Sequence, residues 1–449
     1  MPHLPTLATL ADDLATGRTS ARKLVDACLA HIADPNGEGA RAFIHVDAEA
    51  AIEAAEAMDR LREIKAAPSP YAGIPVSIKD LCDIRGQVTR AGSRALEDSA
   101  PAEADAPVVA RLRRAGFVVI GRTNMTEFAF SGIGINPHYG TPKGVWQRNV
   151  GHVPGGSSSG AAVSVVDGMA HGALGTDTGG SCRIPAAFNG IVGFKPTQRR
   201  VPLDGVVPLS STLDSIGPLA RSVACCAVLD AVLADEPVKP LRPRAIKGMR
   251  LAVPVSVVLD DLDEAVARAF ERALETLTRH GALIERIEVP EFLDIGVMNG
   301  KGGFAAAESY AWHRYLITAK GDIYDPRVAT RILRGESQSA ADYIDLINAR
   351  KSLVTRANAR LEPYDALVLP TTANTPPTLS DMADDKSFTK ANVRALRNCS
   401  LINTIDGCSI SLPAHRDGEV PVGLMLAAAG GSDQRIFEIA AGMEHVIRG

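Results

Sequence analysis

The chain reads as an α/β protein with a mixed, mostly buried β-sheet covered by helices on both faces. Short apolar runs alternate with amphipathic segments along most of its length, the pattern of strands separated by helices. The composition is 46% apolar and 22% charged, ordinary for a soluble globular protein and ample for a large core. Length alone, at 449 residues, suggests two or three domains.

Residues 1–70 are helical by pattern. Ser20 is placed to cap a helix running to about Ala33, and Asp47–Ala66 is rich in Ala, Glu and Arg. Pro68, Pro70, Gly73 and Pro75 then break the periodicity. Beyond them Phe117–Ile120, Leu251–Val253, Leu283–Val289, Ala366–Leu369 and Val422–Leu426 read as strands. In Asp261–His280 the residues Val266, Phe270, Leu274 and Leu277 fall on one helical face, and Gly281 is a fitting stop. Gly300–Arg360 is largely helical, and Ile436, Ile439, Ala440, Met443 and Ile447 recur at helical spacing in Asp433–Ile447. Three prolines make Glu236–Pro243 a surface crossover. No internal repeat or low-complexity tract interrupts this order.

The bulk properties narrow the function classes. Forty-eight basic against fifty-two acidic residues give a net charge of −4, with no electrostatic footprint for nucleic acid and no polybasic run for a membrane surface. The opening MPHLPTLATLADD has neither a charged n-region nor an apolar h-region. The most apolar central stretch, Ala161–Leu174, is broken by Asp167 and His171 and too short to span a bilayer. A cytoplasmic protein without membrane segments is the expectation. Seven cysteines (28, 82, 182, 225, 226, 399, 408) lack metal-ligand spacing, and no HExxH, EF-hand or P-loop pattern appears, so no metal or cofactor is expected. Cys182 reads as a small apolar residue packed under a loop.

Chemistry concentrates in three segments: Gly73–Asp80 (GIPVSIKD), Gly155–Gly160 (GGSSSG) and Gly175–Pro185 (GTDTGGSCRIP). A serine among glycines can be a nucleophile, because glycine lets backbone N–H groups crowd the oxygen of a reacting carbonyl. In this order the segments resemble the signature of the amidase signature family. The resemblance is dense from Ala72 to Pro218, including Gly193–Thr197 (GFKPT) and Leu213–Pro218 (LDSIGP), and resumes at Gly407–Pro413 and Pro421–Leu424. It implies one large domain over residues 1–449: a helical segment at 1–70, a signature core at 72–218 and the remainder at 219–449. Within the last, the helical part at 300–361 would shape the substrate site. It further implies a triad of Lys79, Ser157 and Ser181, with Ser181 24 residues after Ser157, and a cis peptide bond between Gly156 and Ser157.

In that triad Ser181 attacks, Ser157 relays the proton and Lys79 is the base, which requires a neutral amine. Burial disfavours the ammonium form, so Lys79 is expected to be enclosed with few carboxylates near it. Gly73, Ile74, Val76 and Ile78 give it an apolar approach consistent with a strand end, and Asp80 then points to the opposite face. Backbone amides of Thr178, Gly179, Gly180 and Ser181 would converge on the oxyanion, each worth about 2.7–4 kcal/mol in comparable sites. Asp177 and Arg183 would fix the loop.

Two other readings compete. Gly156–Gly160 also satisfies GxSxG, which would make Ser158 a nucleophile with a histidine base, but that motif needs a leading strand and Arg148–Pro154 is a poor one. The glycine turns could instead cradle an anion in a non-catalytic binding protein, which leaves Lys79 unexplained. Within the family the fork lies between free-standing amidases and the A subunit of the glutamine-dependent aminoacyl-tRNA amidotransferase. Thr123–Phe128 (TNMTEF) suits the latter, whereas Ile184 stands where its pattern has glutamine, and the charge shows no tRNA bias. A small-molecule amide is therefore the expected partner, with no nucleic acid or membrane, and a homodimer is left open. Met125, Phe128 and Tyr139, with Phe130 and Trp146, are candidates to line an acyl pocket.

Overall fold

The computed structural model describes residues 4–447. Eleven strands among them form one mixed sheet. They are β1 (Phe43–Val46), β2 (Pro75–Lys79), β3 (Val118–Thr123), β4 (Gly172–Asp177), β5 (Val192–Lys195) and β6 (Ser215–Ala220). β7 (Arg250–Pro254), β8 (Leu283–Ile287), β9 (Ala366–Pro370), β10 (Cys408–Pro413) and β11 (Gly423–Ala428) complete it. The order is β1-β3-β2-β4-β6-β5-β10-β11-β9-β7-β8. β3, β2 and β4 run parallel, as do β9, β7 and β8, while the pairs from β4 through β6, β5, β10 and β11 to β9 are antiparallel.

Strand alternation sends successive side chains to two separate cores. Leu251, Val253, Ala366, Val368, Leu424 and Leu426 join one apolar cluster, and Ala252, Leu367, Leu369, Met425 and Ala427 join another. The first is closed by helices such as Glu264–Arg279 and Asp433–Ile447, the second by Ala340–Leu361 and Asp385–Thr404. Both faces of the sheet are covered, as the alternating pattern predicts.

The helix signals hold in detail. Ser20 Oγ accepts the Lys23 amide at 3.2 Å ahead of Ala21–Ala33, and Asp47 accepts the Ala50 amide ahead of Ala48–Glu63. Glu264–Arg279 buries Val266, Phe270, Leu274 and Leu277 and ends before Gly281, whose φ is +89°. The helical stretch after residue 300 resolves into Gly303–Lys320, Pro326–Leu333 and Ala340–Leu361. Ala161–Leu174 divides between the helix Ser159–Val166 and the start of β4, and among the described residues no helix is long and apolar enough to cross a membrane.

What matters for chemistry is the meeting of β2 and β4. They are parallel neighbours with Ile78 opposite Leu174, so their C-terminal ends reach the same sheet edge. Such edges are where open α/β sheets place ligands.

Candidate active site

Lys79 is the last residue of β2 and fully buried. Its Nζ donates to Ser157 Oγ and to Thr176 Oγ1, each at 2.7 Å. Thr176 belongs to β4, two residues beyond the one facing Ile78, so sheet register itself supplies this second partner. Among the described residues no carboxylate forms an ion pair with Lys79, and burial lowers its pKa to about 8. The thiols of Cys82 and Cys182 lie close, but burial pushes both far up, that of Cys82 to about 12, so neither supplies an anion near neutrality. Asp80 turns away and pairs with Arg122 at 2.7 Å on the other side.

Ser157 follows Gly156 through a cis peptide bond. The turn is seated by backbone contacts: Gly156 N–H donates to Gly132 C=O at 2.8 Å, and Thr126 N–H to Ser157 C=O at 3.1 Å. Gly155 has φ +72°, and a Cβ there would meet Pro185 Cα at 2.9 Å, so the glycine is dictated by both backbone and space.

The loop after β4 is held by Asp177. Its carboxylate accepts the amides of Gly180 (2.8 Å) and Cys182 (3.1 Å) and a two-pronged bond from Arg183 (2.8 and 3.0 Å). Asn403 adds a further donor at 3.0 Å. Burial alone would raise the Asp177 carboxyl, but the adjoining Arg183 guanidinium outweighs it and holds the group well below the usual carboxylate range. Both partners are fully buried. Removing one side of such a pair strands a charge and costs about 3–5 kcal/mol. Arg183→Ala is therefore expected to lower the urea midpoint of unfolding by that equivalent, and an unchanged midpoint would show the pair to be energetically idle.

This arrangement corrects one expectation. The Gly180 amide, counted among four oxyanion donors, is taken by Asp177 Oδ1. The amides of Gly179 and Ser181 make no hydrogen bond within the described residues. Thr178 is fixed from its side chain, its Oγ1 donating to Asp214 Oδ1 at 2.5 Å. Asp214, pushed up to about 6 by burial, also accepts the amides of Leu209 and Ser210 at 3.0 Å.

Ser181 is 3% exposed, where Lys79 and Ser157 are closed off completely. The two serine turns meet through the backbone, Ser158 N–H donating to Ser181 C=O at 3.3 Å. The Ser181 hydroxyl makes no hydrogen bond to Ser157. Ser158 faces away into the core, its Oγ donating to Thr176 C=O at 3.3 Å, and no strand leads into its turn. Neither requirement of the GxSxG alternative is met.

Met125 and Phe128 are buried in a cluster with Leu81, Val328 and Ile332, where the Phe128 ring lies 5.0 Å from that of Tyr324. The Tyr139 hydroxyl donates to Glu97 at 3.0 Å. Cys182 packs at no exposure with Ala161, Ala173, Ala186 and Leu219, the role of a small apolar residue. Residues the motifs did not reveal are Thr176, Asn403 and Asn392, the last accepting Ser131 Oγ and the Gly132 amide at 2.9 and 2.8 Å. Thr176 could have been found from strand register; the two asparagines carry no local signal. Among the described residues no group of His, Cys, Asp or Glu stands together as a metal site.

Similarities to known proteins accompany this geometry. The Amidase family model matches residues 23–437. The chain is 37% identical over 454 residues to a 2-amino-5-chloromuconic acid deaminase of Comamonas testosteroni, covering 99% of this chain and 96% of that one. It is 33% identical over 486 residues to the A subunit of the glutamyl-tRNA(Gln) amidotransferase of Mycobacteroides abscessus, covering 97% and 96%. Its fold superposes on the crystal structure of an amidase with a TM-score of 0.89 at 30% identity, over 98% and 99% of the two chains.

Proposed function

Since this chain belongs to the amidase family, we propose that it hydrolyses a carboxylic amide to the acid and ammonia or an amine through an acyl-enzyme on Ser181. The observation that carries this reading is Lys79: a fully buried amine without a carboxylate partner, 2.7 Å from a serine hydroxyl. With its pKa near 8, about a tenth of the amine is neutral at pH 7, against less than a thousandth for an ordinary lysine.

In the reactive form the 2.7 Å contact reverses donor and acceptor. Ser157 O–H gives its proton to Lys79 Nζ, and Ser157 Oγ takes that of Ser181 as Ser181 Oγ attacks the carbonyl carbon. That transfer needs the two hydroxyls within hydrogen-bond reach in the reacting complex; apo sites of this kind are commonly looser. The oxyanion is received by the amides of Thr178, Gly179 and Ser181, held in place by Asp177 and Asp214. When the tetrahedral species collapses, the proton returns through Ser157 to the leaving nitrogen. Water repeats the sequence on the acyl-enzyme and frees the acid.

The amidotransferase relative makes transfer of ammonia to a misacylated tRNA the second reading. Ile184, fully buried beside Gly132 and Gly180, stands where the loop pattern of such A subunits, as the sequence resemblance gives it, has glutamine. The purified chain alone is expected to release ammonia from members of a panel of aliphatic and aryl amides, without nucleotide, tRNA or partner chains and with chelators present. Activity confined to glutamine, and dependent on ATP and partner chains, would establish the transferase instead.

A further inference from the structure

A carboxylate outside the three motif segments closes on the turn that steadies the oxyanion loop. Glu308, half-buried on the helix Gly303–Lys320, accepts four donors. Its Oε2 takes the Ser210 hydroxyl at 2.5 Å and the Thr212 amide at 3.1 Å, and its Oε1 takes the Tyr343 hydroxyl at 2.5 Å and that of Thr212. A carboxylate has about four lone-pair sites, and here each has a donor. Arg350, a cation that feels this charge, is itself turned to the carbonyls of Thr404, at 3.0 Å, and Asn403. Hydrogen bonds to an ionised acceptor are about twice as strong as neutral ones, and those of Glu308 all go to fixing neutral groups.

Ser210 and Thr212 belong to a closed turn. The amides of Leu213 and Asp214 donate to Ser210 C=O at 2.9 and 2.7 Å, and those of Leu209 and Ser210 donate to Asp214 Oδ2 at 3.0 Å. Asp214 Oδ1 accepts Thr178 Oγ1, and the next residue, Ser215, donates its hydroxyl to Asp177 C=O at 2.9 Å. Sheet register adds a third tie, since Ser215 faces Asp177 where β6 pairs with β4. The turn thus grips Asp177 and Thr178, where the loop to Ser181 begins, and Glu308 grips the turn. Tyr343 brings a second helix, Ala340–Leu361, onto the same carboxylate.

We propose that Glu308 is a positioning residue for the oxyanion amides, acting on Thr178 through the turn Leu209–Asp214. The inference rests on the amidase reading for the step it serves. Glu308→Gln keeps the shape but offers one acceptor oxygen where two stood. A displaced oxyanion donor is felt in the transition state and not in ground-state binding. On the best amide of the panel kcat should therefore fall about tenfold, less than the 10²–10³ of a donor removed outright, with KM within about threefold. Tyr343→Phe removes one of the four donors and should lower kcat about fivefold; it carries the same readouts if the glutamine variant does not fold. Thr178→Val makes the test specific, because it cuts the last link. In that background Glu308→Gln should change kcat by less than about twofold, whereas losses that multiply would reduce Glu308 to a structural brace and overturn the proposal. Hydrogen exchange read by mass spectrometry separates this proposal from the amidase reading. The amides of the peptide spanning 177–182 should exchange about tenfold faster in Glu308→Gln, with those of Glu264–Arg279 unchanged. Faster exchange there, in a protein that releases ammonia from no amide, sustains the hold of Glu308 on the loop and sinks the hydrolase. Ammonia release with kcat and loop exchange both unmoved in Glu308→Gln does the reverse. In an active enzyme, a fall in kcat without faster loop exchange, or faster exchange without a fall in kcat, overturns the proposal as well.

Discussion

Ser181→Ala is expected to abolish amide hydrolysis, by about 10⁴-fold or more in kcat, while leaving the unfolding midpoint where it was. The hydroxyl makes no hydrogen bond within the described residues, so its removal strands no partner. Asp177 holds the loop from the amides of Gly180 and Cys182, which the substitution leaves in place. Cys182 cannot substitute as a nucleophile: its thiol is fully buried and burial pushes its pKa far up, which keeps it protonated. Ser158→Ala is the matched control. Its hydroxyl gives one 3.3 Å bond to Thr176 C=O, so activity should remain within about tenfold of wild type. Mass spectrometry of the enzyme trapped with an activated ester should place the acyl group on the peptide containing Ser181. An adduct on Ser158 would overturn the assignment.

The strands that were legible in the sequence are those rich in Val, Ile and Leu. β3, β7, β8, β9 and β11 lie within one to three residues of the expected bounds. β4 and β6 escaped because glycine and proline occupy them: Gly172 and Gly175 in one, Gly217 and Pro218 in the other. Packing explains the glycines, since a Cβ on Gly217 would meet Phe194 C=O at 2.0 Å and one on Gly175 would meet Ser158 Oγ at 2.9 Å. β10 escaped for a different reason. Its Ser409 and Ser411 imitate a solvent face, yet both are buried, and Ser411 Oγ meets Thr371 Oγ1 at 2.7 Å.

The site divides in the same way. Lys79, Ser157, Asp177, Ser181 and Arg183 sit in short segments whose residue types announce chemistry, and the structure brings them to one sheet edge. Asn392 and Asn403 come from one helix more than two hundred residues later and read as ordinary polar positions there. Their significance comes only from what they face. Met125, Phe128 and Tyr139, chosen for being apolar or aromatic near the motifs, make their contacts in a cluster with Leu81 and in a bond to Glu97.

The lysine carries the second large effect. If neutral Lys79 is the base, kcat/KM should climb with pH through an ionisation near 8 and level off above it. The sign follows from the cause: desolvation penalises the cation, so the folded-state pKa falls from 10.5 and the active form is the deprotonated one, present above the ionisation and lost below it. Lys79→Arg retains the charge but cannot accept a proton, and the bulkier fork must enter a site with no exposed surface. Its kcat should drop by about 10²–10⁴-fold, the usual worth of a general base, and the ascending limb near 8 should vanish from the residual activity. Lys79→Met keeps the apolar stem and removes the charge, so it distinguishes the roles: a purely electrostatic lysine would be replaced far better by arginine than by methionine. Comparable losses in both variants, each with a flattened profile, are the expected result for a proton acceptor. An active arginine variant with the wild-type pH profile would remove Lys79 as the base and leave the Ser157–Ser181 pair in need of another.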